Sequence, residues 1–554
     1  MNDWWKGAVI YQIYPRSFLD TSGNGIGDIK GITYKLDYIS DLGVDAIWLS
    51  PIFTSPMKDM GYDVSDYKNI DPLFGKLEDF DELIKQAHKK DLKVIIDQVL
   101  SHSSDQISLF QESRKSKTSS KSDWYVWADP KEDGSPPNNW LSMFGGSAWE
   151  WEPLRDQYYL HNFLPSQPDF NFHNLEVQNW LLESSKFWLE RGVNGFRLDT
   201  VNYYFHDRKL RDNPPSPIKF ERPPANLYYM QNQIYSINQK ENLKFIEKFR
   251  NLLDEYPETT CVGEIGDSHR GLEIMSEYTK SNRLHMAYSF ELLGNKFTAE
   301  HIIETLDGFF NLREDSWPCW SFSNHDVIRH VSRWDQANNA SEFAKLTCAL
   351  LLSLKGSICI YQGEELGQLE TELDFDELTD PPGIRFWPKN KGRDGCRTPM
   401  TWDSMKDNAG FSSTKPWLPV KSTQIKRSVN MQEKEKNSVL QFYRDFISFR
   451  KEERSLIDGD INFHEMGNSI LFFSRESDEK IGCLFNLSSK EININCGGLE
   501  IINEKINQNL CTNGEELIIG KFGFGFFKIK EEFNKLSIQK KYLLNNVESK
   551  NSNK

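Results

Sequence analysis

Hydrophobic and β-branched residues gather into eight short runs along this chain, at 8–13, 45–49, 93–97, 195–199, 260–264, 285–290, 319–323 and 357–361. Between most of them lie stretches with apolar residues at helical spacing, at 32–42, 77–90, 175–191 and 245–256. Alternating strand and helix predicts a parallel sheet. Eight such units predict a closed (β/α)₈ barrel, the TIM-barrel form of the α/β class. Four segments end on an acid or lead to a histidine: 93–97 runs on to His102, 195–199 ends at Asp199, 260–264 at Glu264, and 321–326 at Asp326. In a parallel barrel the loops after the strands share one face, so these side chains are expected at one mouth.

Two intervals are too long for simple connections. The first, 102–172, is rich in Trp, Tyr, Gly, Pro and Asn and predicts a small loop-rich domain inserted after the third strand. The second, 363–420, follows the eighth strand, and long ordered loops of this kind are usually functional. From 461 to 530 the pattern changes to short β runs with turn signals, which predicts a C-terminal antiparallel β domain. The expected division is a barrel of 1–101 and 173–460, an inserted domain of 102–172, a β domain of 461–530, and a polar tail of 531–554. No internal repeat is visible.

Bulk composition narrows the classes. The 554 residues are 38% hydrophobic and 27% charged, enough for a large core. The net charge of −15, from 66 basic and 81 acidic residues, argues against a nucleic-acid surface. Residues 1–6 lack the basic start and apolar stretch of a signal peptide. No apolar run reaches the ~18 residues of a membrane span. Eight cysteines without a CxxC motif predict reduced, mostly buried thiols and a cytoplasmic protein.

The run 195–202, GFRLDTVN, places Arg197 two residues before Asp199, on the same side of the pleat. An arginine there is expected to keep Asp199 ionised, which suits a nucleophile; the alternative is a structural ion pair. Glu264 is a general-acid candidate if apolar surroundings and nearby Asp199 raise its pKa, and otherwise a solvated loop residue. His325 and Asp326 are candidates for holding sugar hydroxyls and a developing positive charge, or else form a structural pair. Three acids in barrel order favour the chemistry that cleaves glycosidic bonds.

With these motifs in place the chain resembles an α-glucosidase of the α-amylase family, the retaining (β/α)₈ glycoside hydrolases, of the maltose-preferring bacterial type. The resemblance runs from WWKGAVIYQIYPRSF near the start to the β domain. It rests on 97–102, 195–202, 262–266 and 322–326, on QPDFNF at 167–172 and on QGEELG at 362–367. It implies Asp199 as nucleophile, Glu264 as acid/base and Asp326 as the third carboxylate that stabilises the transition state. It further implies that Arg197, His102 and His325 bind hydroxyls of the released glucose. Asp59 and Tyr62 would close the pocket, and Arg393 would reach the same glucose from the eighth loop with Arg397 behind it. Phe144 and Phe163 would wall the pocket, or else belong to local core packing.

The activity implied is exo-acting and retaining, through a covalent β-glucosyl-Asp199 intermediate, with transfer to another sugar as a second outcome. In enzymes of this type the residue after the nucleophile sorts linkages, and Thr200 points to α-1,4 bonds where valine would point to α-1,6. Alternatives on the same scaffold are an oligo-1,6-glucosidase, and a sucrose isomerase or trehalose synthase, although 328–334 lacks the Arg-Leu-Asp-Arg-Asp loop of typical sucrose isomerases. A non-catalytic sugar-binding relative is a further alternative. No cofactor is implied for the chemistry. Partners are limited to a small α-glucoside, with no nucleic acid or membrane; the oligomeric state stays open. The run 20–28, DTSGNGIGD, has two readings. One is a structural Ca²⁺ or Mg²⁺ site made by Asp20, Ser22, Asn24, the Ile26 carbonyl and Asp28; the other is a turn held by Asx-type hydrogen bonds.

Overall fold

The computed structural model describes residues 3–464, 466–467, 469–495, 499–513, 516–529 and 537–538. The tail expected at 531–554 lies outside these apart from 537–538, and so does Cys496. Eight parallel strands form one sheet: β1 (Val9–Ile13), β2 (Ala46–Leu49), β3 (Lys93–Gln98), β4 (Gly195–Leu198), β5 (Thr260–Glu264), β6 (Met286–Tyr288), β7 (Cys319–Trp320) and β8 (Ser357–Tyr361). They pair in the order β6-β5-β4-β3-β2-β1-β8-β7, and a parallel bridge between Ala287 and Pro318 joins the two ends. The barrel predicted from the hydrophobic pattern is therefore present. Its β6 and β7 are shorter than the runs that suggested them; after β7 the chain enters a loop where Ser321 Oγ donates to Ser323 O (2.5 Å).

Strand periodicity explains the core. One set of alternate residues, including Ile10, Trp48, Ile95, Val262, Met286, Cys319 and Cys359, packs together inside the barrel. The other set, including Val9, Ile47, Val94, Phe196 and Ile358, packs outward in the main core. The helix Leu77–His88 buries Phe80, Leu83, Ile84 and Ala87, a single stripe. The predicted 32–42 helix is instead two helices, Ile29–Tyr34 and Leu36–Leu42, broken at Lys35. Gly195 opens β4 with φ +155°, and a Cβ there would lie 2.2 Å from Thr260 O. Only glycine lets β4 approach β5 so closely.

Between β3 and β4 lies a three-stranded antiparallel sheet of Trp127–Ala128, Trp149–Glu152 and Gln157–Leu160. After the barrel, Asp460–His464, Ile470–Glu476, Lys480–Asn486 and Glu516–Ile529 form an antiparallel sheet. Its Phe524 and Phe526 pack on Phe442 and Phe446 of the helix Val439–Glu452. Among the described residues, six cysteines are free and buried and Cys511 is free and exposed. No described helix is long and apolar enough to cross a membrane.

Candidate active site

The inward positions of the barrel strands change character towards their C-terminal ends. Ile10 gives way to Gln12, Ile95 to Asp97, Val262 to Glu264 and Met286 to the hydroxyl of Tyr288. Each step of two residues climbs ~6.6 Å, so a polar tier sits on an apolar floor. Arg197, fully buried, is its hub. Its Nη1 donates to Asp97 Oδ1 (2.9 Å) and to Asp199 Oδ1 (2.7 Å). Its Nη2 lies 2.6 Å from Glu264 Oε2 and donates to Tyr288 OH at 2.8 Å. Tyr288 OH in turn donates to Glu264 Oε1 (3.1 Å).

The strand ends abruptly after Asp199. Thr200 has φ 39° and ψ 48°, a left-handed conformation unusual for a β-branched residue. This turn directs the Thr200 N–H onto Glu264 Oε2 (3.0 Å) and sets its hydroxyl 3.3 Å from Asp199 Oδ2 and 3.0 Å from Ser101 Oγ.

A second cluster gathers on Asp326, from the β7 loop. Arg393 Nη1 and Arg397 Nη2 both donate to Asp326 Oδ1, at 3.2 and 3.0 Å. Arg393 Nη2 also donates to Asp59 Oδ1 (2.8 Å), joining the β8 loop to the β2 loop. His325 Nδ1 lies 2.7 Å from Gln12 Nε2, and its Nε2 faces Asp326 Oδ2 at 3.3 Å and Tyr62 OH. Tyr62 stacks on His325 and donates to Asp97 Oδ2 (3.0 Å), linking the two clusters.

Above them lies a cavity of about 390 Å³. Asp199, Glu264 and Asp326 line it, as do Asp59, Tyr62, His102, Phe144, Phe163, Thr200 and Arg393. Phe144 and Phe163 contact each other edge to face and also line the cavity. Arg197 and His325, expected against sugar hydroxyls, stand behind the wall instead, at 0% and 1% exposure. All the Arg197 nitrogens are engaged by protein groups, which makes it a holder of acids.

Sequence reasoning missed part of the wall. Tyr203, Asn226, Tyr228, Tyr229 and Gln233 line the cavity from the long β4 loop, and Phe386 and Asn390 from the β8 loop. Asn226 Nδ2 donates to Met143 O (2.7 Å), tying this loop to the inserted segment. The signal was present: 199–241 carries no helical period, and 226–233 reads NLYYMQNQ after a proline-rich stretch.

Burial dominates the electrostatics. It pushes Glu264 up to about 7, with Arg197 pulling down and Asp199 and Asp326 pushing further up. Asp199 is also pushed up to about 7 by burial, against the pull of Arg197. The pull of Arg197 expected on Asp199 is present but does not offset its burial, because one guanidinium serves Asp97, Asp199 and Glu264 together. Asp97 itself is pushed up to about 6, again by burial. Asp199 and Glu264 thus act as a pair that holds a proton up to neutral pH. Asp326 differs. Burial opposes its charge, but the electrostatic pull of His325 and of the Arg393, Arg397 and Arg197 guanidinium groups outweighs burial and holds its carboxyl well below the usual range. The site can therefore present an acid, a carboxylate nucleophile and a fixed anion to one ligand.

In the 20–28 loop the carboxylates face N–H and O–H donors. Asp20 accepts from Ser22 N (2.9 Å), Gly23 N (2.7 Å), Gly25 N (2.8 Å) and Ser412 Oγ (2.6 Å). Asp28 accepts from Thr21 N (2.8 Å) and Gly31 N (2.7 Å), and Asn24 Oδ1 from Ile26 N (2.8 Å). The described residues hold no cluster of three or more His, Cys, Asp or Glu suited to a metal ion. These contacts are the ones the hydrogen-bonded turn calls for.

Residues 12–459 match the family model described as alpha amylase, catalytic domain. A probable alpha-glucosidase of Rhizobium meliloti is 57% identical over 496 residues, 88% of this chain and 90% of that protein. An oligo-1,6-glucosidase of Heyndrickxia coagulans is 37% identical, covering 89% of this chain and 93% of its own. Among solved structures, the alpha-glucosyl transfer enzyme XgtA superposes with a TM-score of 0.93 at 50% identity, over 96% of this chain and 100% of that one. The trehalulose synthase MutB of Pseudomonas mesoacidophila superposes with a TM-score of 0.86 at 31% identity, over 95% of this chain and 99% of its own.

Proposed function

Because the chain belongs to the alpha-amylase family, as a glycosidase of its α-glucosidase and oligo-1,6-glucosidase group, we propose that it is an exo-acting, retaining α-glucosidase that removes single glucose units from short α-1,4-linked glucosides. One observation carries this reading: Arg197 binds both Asp199 and Glu264, and Asp326 lines the same cavity with them. Glu264, protonated near neutrality, gives its proton to the glycosidic oxygen while Asp199 attacks the anomeric carbon. The β-glucosyl ester on Asp199 is then opened by water that Glu264 deprotonates, and α-glucose leaves. Asp326, held charged, stabilises the oxocarbenium-like transition state. No cofactor takes part, and the 20–28 loop carries no step.

The Asp59–Arg393 ion pair, which joins two loops at the cavity wall, supports exo action. Thr200 on the cavity wall supports α-1,4 preference. Likeness to an alpha-glucosyl transfer enzyme supports transfer to a second sugar as a side reaction. Free buried thiols are in keeping with a cytoplasmic setting. The test is a set of initial rates on maltose, maltotriose, isomaltose, sucrose and trehalose with products separated. Free glucose from maltose, faster than from isomaltose, is the expected result. A rearranged disaccharide from sucrose or maltose would instead favour an isomerase.

A further inference from the structure

The β8 loop grips itself at a neck. Arg393 donates to Asp380 three times: from its backbone N to Oδ2 (2.8 Å), and from Nε (3.0 Å) and Nη2 (2.7 Å) to Oδ1. The reverse contacts come from the neighbouring residues. Thr379 N and Asp380 N donate to Asp394 Oδ2 at 2.6 and 2.8 Å, and Thr379 Oγ1 donates to Asp394 Oδ1 at 2.9 Å. Asp380 and Asp394 are both fully buried. Gly392 makes the approach feasible. Its φ is +75°, and a Cβ there would lie 2.4 Å from Asp380 Oδ2 and 2.6 Å from Gly383 Cα.

Two consequences follow. The chain between the gripping residues, 381–391, supplies Pro382, Phe386 and Asn390 to the cavity wall, so the neck anchors that wall. The second consequence concerns the arginine. Asp380 takes the rear edge of the Arg393 guanidinium, leaving Nη1 for Asp326 and the other edge of Nη2 for Asp59. Without an anion behind it, a long flexible side chain has no reason to hold both forward contacts at once. Asp380 keeps its charge for this purpose: burial opposes ionisation, but Arg393 and Arg397 more than offset it and lower the carboxyl. Asp380 itself does not line the cavity.

We propose that Asp380 is a positioning residue for the glucose pocket, aiming Arg393 between Asp59 and Asp326 and locking the neck of the 381–391 wall. This rests on the pocket being the glucose site. The effect is on how tightly one sugar ring is held, more than on the proton transfer at Glu264.

The experiment compares Asp380→Asn, Asp380→Glu and Thr379→Val with the parent. The readouts are kcat, KM on the best α-glucoside, the inhibition constant of glucose, melting temperature and a crystal structure. Asp380→Asn is expected to raise KM and the glucose inhibition constant together by about ten-fold, with a smaller change in kcat. Asp380→Glu recovers part of this. Thr379→Val, which loosens the neck without touching Arg393, gives a smaller rise in the same two constants. In crystals of Asp380→Asn the guanidinium leaves Asp59 or Asp326. A folded Asp380→Asn protein with both constants within about two-fold of the parent, and Arg393 unmoved, overturns the proposal. If Asp380→Asn does not fold, Asp380→Glu with both constants unchanged and Arg393 unmoved overturns the aiming of Arg393, and Thr379→Val with unchanged glucose inhibition overturns the locking of the neck. A parent protein that hydrolyses no α-glucoside would sink the function instead, and the position of Arg393 in the crystals would still decide the positioning role.

Discussion

The backbone N–H of Thr200 donates to Glu264 Oε2 at 3.0 Å, so the residue that follows Asp199 is bound to the acid across from it. The left-handed turn at Thr200 is what makes this contact, and the same turn presents the Thr200 hydroxyl to Asp199 and Ser101.

Thr200→Val keeps the backbone contact and removes both hydroxyl contacts. The hydroxyl group is small and polar, and a methyl in its place narrows the cavity beside the nucleophile. The ratio of kcat/KM for isomaltose to that for maltose is expected to rise at least about five-fold, a shift of ~1 kcal/mol. An unchanged ratio would end the linkage reading of Thr200.

The pH dependence follows from the acid pair. The proposed mechanism needs Glu264 protonated and Asp199 ionised, one proton between them. Raised values near 7 mean that this proton is lost as pH climbs past neutrality, so kcat/KM falls on an alkaline limb centred near pH 7. Asp326, held well below the usual carboxylate range, stays charged throughout and adds no limb. Glu264→Gln should remove the alkaline limb while retaining some turnover of aryl α-glucosides with good leaving groups. A profile flat to about pH 9 would contradict the assignment.

Arg197 compensates three carboxyl groups, so its loss costs more than one ion pair. Arg197→Lys keeps the charge but cannot fork to Asp97, Asp199 and Glu264 together. A fall in kcat of about 10²–10³ is expected, the range seen when a preorganised charge contact is removed. Because Arg197 lies behind the wall, KM should change much less than kcat. A large rise in KM with kcat preserved would return Arg197 to the sugar-binding role expected from its motif.

Glu364, in the QGEELG run, accepts from Tyr443 OH and Tyr361 N, both at 3.3 Å. Burial pushes it up to about 8. Its carboxyl therefore binds a proton in the folded protein at pH values where the unfolded chain, with a value of ~4.3, has lost it. The folded state holds more protons in that window, so its contribution to stability is full below ~4.3 and declines as pH rises to about 8. Glu364→Gln removes the decline. Melting temperatures measured from about pH 5 to 9 should fall more steeply for the parent than for the variant, with activity at pH 6 unaffected. Parallel curves would show that Glu364 is ionised in the fold.

The barrel was legible because its strands are buried on both faces and read as continuous apolar runs, from Val9–Ile13 to Ser357–Tyr361. The three acids were legible because each follows such a run. The sequence was silent on depth. Arg197 and His325 sit next to Asp199 and Asp326 in the chain yet lie one layer behind the cavity, and only packing decides that. Nor could it show that Arg197 divides its charge among acids from three strands, which is why Asp199 is less acidic than its neighbour suggested. The lack of a helical period marks 226–233 as a loop but does not say which of its side chains face the cavity, and the contacts of the Asp380 neck join residues across turns.

The central claim is that Asp199 carries glucose covalently while Glu264 moves the proton. The most direct measurement is mass spectrometry of the protein incubated with 5-fluoro-α-glucosyl fluoride, which forms the ester quickly and loses it slowly, followed by peptide mapping. A single fluoroglucosyl adduct on Asp199, absent from Asp199→Asn, is the predicted result. An adduct on another residue, or turnover with no adduct and β-glucose as the first product, would contradict the account.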